Sequence, residues 1–167
     1  MKRMKPICLF LAAALLCALL AACGSGEQEP AAPAEISKYT ELTASGESLT
    51  IPAEGITRST RFFNYDAGGV TVQLVALRDQ NDGVHIAFNT CQSCSPSPKA
   101  YYQQSGDVLQ CMNCGFTFEP EQVGVTHGGC NPWPIDGVVI GEKEISVPVS
   151  ALEGMKTTFA SWAGPTK

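Results

Sequence analysis

From residue 48 onward the chain alternates apolar and polar positions with a period of two. Val70, Val72, Leu74 and Ala76 alternate with Thr71, Gln73 and Val75, and Val84, Ile86 and Phe88 alternate with His85 and Ala87. Between the two runs stands Asp79-Gln80-Asn81-Asp82-Gly83, whose residues suit a turn, so residues 70–88 predict a β-hairpin. Residues 48–53, 60–65, 108–110, 137–140, 144–149 and 156–162 read as further short strands. Glycine and proline interrupt the pattern throughout, and no amphipathic helix longer than two turns emerges. The pattern predicts a mainly β fold. It also contains an echo: Leu49-Thr50-Ile51-Pro52 with Ile56 and Phe63 matches Ile145-Ser146-Val147-Pro148 with Leu152 and Phe159 at identical spacing. Two equivalent strand-and-turn units or a chance likeness of short β segments would both produce it, and it carries no functional weight.

The N-terminal 22 residues follow another rule. Lys2, Arg3 and Lys5 precede an apolar run from Ile7 to Ala22, the layout of a signal peptide and too short for a stable membrane span. The run ends in Leu20-Ala21-Ala22-Cys23-Gly24-Ser25, the pattern in which a bacterial lipoprotein cysteine receives its lipid. Residues 1–22 are therefore expected to be removed, taking Cys8 and Cys17 with them. Residues 23–47 are expected to form a lipidated flexible tether, because polar and small residues there supply no core. Residues 48–163 are expected to form one domain, on the extracytoplasmic side of the membrane. Loss of three cations takes the formal net charge from -5 to about -8. An acidic chain without Lys/Arg clusters is a poor nucleic-acid binder, which excludes that class of partner.

Five cysteines remain besides Cys23. Cys91, Cys94, Cys111 and Cys114 form two C-x2-C pairs separated by sixteen residues. A two-residue gap lets both thiolates of a tight turn face one centre, and two such knuckles joined by a hairpin give a zinc-ribbon-like tetrahedral site suited to zinc or iron. Gly115 stands where a knuckle needs an unusual backbone angle. The fifth, Cys130, lies in Thr126-His127-Gly128-Gly129-Cys130-Asn131-Pro132, where the glycines allow close backbone approach to an ion or ligand. Cys130 and His127 are candidates for a replacement ligand, a second metal position or a reactive thiol. An alternative set is Cys111, Cys114, His127 and Cys130, with Cys91 and Cys94 paired to each other. His85 reads as a surface residue.

Other cysteine chemistries compete. Haem c attachment is excluded, since Ser95 and Gly115 occupy the positions its histidine would need. A thioredoxin-like pair belongs at the start of a helix, whereas the surroundings here are strand and turn. Structural disulfides are favoured by the compartment, although pairing five thiols strands one. A disulfide contributes about 2–4 kcal/mol, against on the order of 10 kcal/mol for a structural zinc site, so a loop-rich β domain gains more from metal. No nucleophile motif or phosphate-cradling loop indicates hydrolytic catalysis.

Phe88-Asn89-Thr90-Cys91-Gln92-Ser93-Cys94, Tyr101-Tyr102, residues 108–116 and Gly128-Gly129-Cys130-Asn131-Pro132 together resemble the FtrD-like membrane iron–sulfur family over about residues 61–159. The resemblance implies that all five cysteines are functional around an iron–sulfur or other metal centre. It also implies association with a membrane permease for iron, or with a redox protein. Members of that kind carry membrane helices ahead of the domain; here a lipid anchor takes their place. Lys2-Arg3 is no twin-arginine signal, so export is expected to occur unfolded, which favours a single zinc, iron or copper ion acquired outside over a prebuilt cluster. The leading expectation is a non-enzymatic, membrane-anchored metal-binding lipoprotein of the cell envelope. A redox or electron-transfer component of metal handling is the runner-up, and a disulfide-stapled binding domain the third reading.

Overall fold

The computed structural model describes residues 38–167; the expected signal peptide and Cys23 lie outside them. In chain order the strands are β1 (Tyr39–Leu42), β2 (Ser48–Pro52), β3 (Arg61–Asp66), β4 (Thr71–Arg78), β5 (Val84–Cys91) and β6 (Tyr102–Ser105). They continue with β7 (Val108–Cys111), β8 (Thr117–Phe118), β9 (Pro132–Trp133), β10 (Val139–Ile140) and β11 (Glu144–Pro148). Two short helices follow, α1 (Val149–Gly154) and α2 (Lys156–Phe159). The described residues are mainly β.

Three sheets result. The central one has the order β1-β3-β4-β5-β9, with β1 parallel to β3 and the other pairs antiparallel. The predicted hairpin is β4 and β5. Its turn is held by Asp79, whose Oδ1 accepts the Asn81 and Gly83 amides and whose Oδ2 lies 2.8 Å from His85 Nε2. Both faces of β4 are covered, so its alternation separates two cores instead of core from water. Val72, Leu74 and Ala76 pack with Leu49, Ile51, Ile145, Val147 and Leu152, under the sheet β10-β11-β2 and the helices. Val75 and Leu77 face the opposite core with Phe62, Tyr102, Leu109, Cys91 and Cys111, under the sheet β6-β7-β8. Two of the five site cysteines are thus core residues of the second layer.

Gln73 points into that second layer and is fully buried, which demands partners. Its amide nitrogen donates to Asn64 Oδ1 (2.7 Å) and to the Pro165 carbonyl (2.9 Å), and its oxygen accepts from Asn89 (2.6 Å). Asn89 Oδ1 accepts the Tyr102 amide (2.8 Å), and its carbonyl accepts the Trp162 indole N–H (2.9 Å). This polar ladder fixes the spacing of β5 and β6 just ahead of Cys91. It also draws in residues 162–166, beyond the expected domain end at 163.

Two expectations are corrected. β1 lies inside residues 23–47, expected as tether: Tyr39 stacks on Phe62 (5.1 Å between centroids) while Leu42 packs on the first core. Residues 156–162, expected as a strand, contain α2 instead. Phe159 is the buried position there, and it follows buried Leu152 and Met155 at a spacing of three and four, which is helical. The sequence echo has a structural counterpart. β2 and β11 pair antiparallel with Thr50 opposite Ser146, Ile51 opposite Ile145 and Leu49 opposite Val147, and each ends in a proline leading into a helical turn.

Candidate metal centre

Each cysteine pair ends a strand. Cys91 closes β5 and Cys111 closes β7, and each carbonyl accepts an amide four residues later at 2.9 Å, from Ser95 and Gly115 respectively. The turns are therefore equivalent. At the second, Gly115 has φ 79°, a left-handed value that glycine adopts freely, as the motif demanded. The chain between the knuckles joins them: Cys91 N donates to Ala100 O (3.0 Å) and Met112 N to Tyr101 O (2.8 Å). Ser97 Oγ donates to Asn113 Oδ1 (2.7 Å), closing the tips.

The loop ahead of β9 delivers Cys130 to this pair of turns. Gln92, inside the first knuckle, clamps it: Nε2 donates to Thr126 O (3.1 Å), and Oε1 accepts the Gly128 amide (2.7 Å). Asn131 Nδ2 donates back to Gly128 O (2.7 Å). The Tyr102 hydroxyl donates to the Cys130 carbonyl, toward which Cys91 Sγ also points at 3.5 Å. Gly128 and Gly129 have positive φ, but nothing lies within 4 Å of a side chain added at Gly128, so backbone angle, not close approach, explains them.

The sulfurs of Cys91, Cys94, Cys114 and Cys130 all lie within 4.8 Å of one another. A tetrahedron with metal–sulfur bonds of about 2.3 Å has edges of about 3.8 Å, so a single thiophilic ion fits this group with small adjustments. A cluster interposes several irons and sulfides and spreads its terminal sulfurs further. This quartet differs from the one anticipated: Cys130 stands where Cys111 was expected. Cys111 Sγ is 3.9 Å from Cys94 Sγ and, like Cys91, it is fully buried in the second core, but it is not one of the four that approach one another. His127 is exposed and outside the group, so the alternative set with an imidazole does not assemble. All five are free thiols, including Cys91 and Cys94, which that alternative paired.

Burial grades their acidity. It pushes Cys111 well above an ordinary thiol and Cys130 up to about 12, and it raises Cys94 as well. At Cys114 partial desolvation is outweighed by the Phe116 amide and the Cys111, Cys94 and Cys130 thiols, so its pKa falls. Cys114 is also the exposed member. The quartet thus has one outward corner, Cys114, that carries charge readily, and two corners, Cys94 and Cys130, that ionise when a cation compensates them.

Sequence reasoning passed over Gln92 and Tyr102 as positioning residues. Their signal is weak: a polar residue between two cysteines, and an aromatic residue that the β6–β7 pairing sets directly opposite Cys111. Among the described residues no helix is long and apolar enough to cross a membrane. No curated protein and no solved structure matches the chain. A family model described as membrane iron–sulfur containing protein FtrD-like matches residues 56–159, a span holding both knuckles, Cys130 and the strands that set them. With five thiols gathered at one end of a two-core β fold, the chain belongs to the FtrD-like family.

Proposed function

We propose that this protein is a non-enzymatic metal-binding lipoprotein, held to the membrane through lipid on Cys23 and working on its extracytoplasmic side. It binds one thiophilic ion, zinc or iron, through Cys91, Cys94, Cys114 and Cys130. The mutual approach of those four sulfurs to within 4.8 Å carries the reading. The ion would supply a Lewis-acidic or redox-active centre and a staple across three chain segments. Cys111 stands beside it, fully buried in the second core. Partners are expected in the membrane: a metal permease or a redox protein.

Metal content of protein purified without oxygen tests this. One ion per chain without acid-labile sulfide is expected, with stoichiometry kept in Cys111→Ser and lost in Cys130→Ser. The reverse pattern, or no metal, would sink it. A second reading, an electron-transfer component with an iron–sulfur centre, is favoured by the description of the family. Several irons with sulfide, and colour bleached by dithionite, would select it.

A further inference from the structure

Away from the cysteines, a cleft of about 550 Å³ opens beside the edge strand β1, bounded by β1, β3 and the 3-10 turn at Ala53–Gly55. None of its lining residues belongs to the cysteine-bearing turns. Pro52 and the border of Phe63 give it apolar surface, and Arg61 and Glu54 give it charge, while Tyr39 and Glu41 touch its rim from the other face of β1.

Arg61 is the unusual member. It is only 8% exposed, yet no carboxylate lies within ion-pair distance of it among the described residues. Its Nη1 donates to Gly55 O (3.0 Å) and its Nη2 to Thr40 Oγ1 (3.1 Å), while Nε is enclosed without an acceptor. A guanidinium has five N–H donors, so three are uncommitted. A buried cation without a counter-ion is costly, and a carboxylate, which matches its fork geometry, would offset that cost. Glu54 lines the same cleft and Glu41 its rim, neither neutralising Arg61. Glu41 accepts from Asn64 Nδ2 (2.6 Å), and Glu54 is exposed. A plain anion would meet Arg61 favourably and Glu54 unfavourably, and a plain cation the reverse. A molecule carrying both charges satisfies both.

We infer that this cleft binds a small zwitterion with an apolar body, such as an apolar α-amino acid. Its carboxylate would lie at Arg61, its ammonium toward Glu54, and its side chain against Pro52 and the border of the Phe63 ring. Calorimetric titration of the full chain with L-phenylalanine, 3-phenylpropionate and 2-phenylethylamine tests this. Saturable binding at one per chain is expected for L-phenylalanine, at least about fivefold tighter than for either singly charged analogue, the scale of a partly exposed charge pair. Glu54→Gln should bring L-phenylalanine down to the level of 3-phenylpropionate. Arg61→Gln should abolish binding of both carboxylates. Glu54 is exposed, so its variant decides the matter even where Arg61→Gln fails to fold. Absence of saturable binding, equal binding of the three probes, or an unaltered preference in Glu54→Gln would overturn the inference.

Discussion

Gly124 leads into the loop that brings Cys130 to the knuckles. Its φ is +75°, and a side chain there would run into the Ile86 carbonyl of β5. Gly124→Ala combines an unfavourable backbone angle with a collision against backbone that cannot yield, so a loss of about 2–4 kcal/mol is expected, measured by urea unfolding. Tyr102 acts at the same scale by holding the Cys130 carbonyl. Removing a hydrogen bond that orients a ligand weakens metal affinity about ten- to a hundredfold, so Tyr102→Phe should do this at unchanged stoichiometry, measured by chelator competition. Neither role could be read from residue order. Gly124 is one of 16 glycines, and its neighbour Ile86 is 38 positions away, known only once β5 has a place. Gly115 was legible because the knuckle motif itself supplies the geometry.

The β4–β5 hairpin was the most legible element, since its period and its turn chemistry agree. Its turn also titrates. The bond from His85, then the Gly83 and Asn81 amides, hold the Asp79 carboxyl below the usual carboxylate range. The fold therefore favours the charged form. Its contribution is complete above about pH 5, where an unfolded aspartate is already ionised, and is lost as pH falls through the lower folded value. Asp79→Asn should flatten the acid limb of stability between about pH 2 and 5, followed by denaturant midpoints across that range. Elements that depend on distant partners were less legible. β1 offers four residues with no core of its own until Phe62 meets Tyr39, and β9 is two residues paired to the end of β5. α2 was hidden because Lys156-Thr157-Thr158-Phe159 has strand-like residues, while its burial follows Leu152 and Met155 across the intervening Gly154.

At the scale of the molecule, two cores share the strands β3 to β5, and only one of them contains cysteine. The first is aliphatic and aromatic, closed by β2, β11 and the helices. The second relies on short strands around Cys91 and Cys111. Removing metal should therefore loosen the layers unequally. With a strong chelator under reducing conditions, amides of β6, β7 and the 124–131 loop should lose hydrogen-exchange protection while those of β4 keep most of theirs. The drop in overall stability should be several kcal/mol, below the order of 10 kcal/mol of sites that fold only with metal. Uniform loss across both layers would show that the aliphatic core cannot stand alone. The cysteine spacing announced the knuckles and pointed to Cys111 as the fourth sulfur, whereas the fold brings in Cys130 from a loop outside that pattern.

The order of the central sheet has a consequence for reach. β1, where the described chain begins, is one margin; β9, just after Cys130, is the other, with three strands between them. Four inter-strand steps of about 4.8 Å put roughly 19 Å between these margins. The chain therefore enters the central sheet through Tyr39 at the margin opposite the one that follows Cys130.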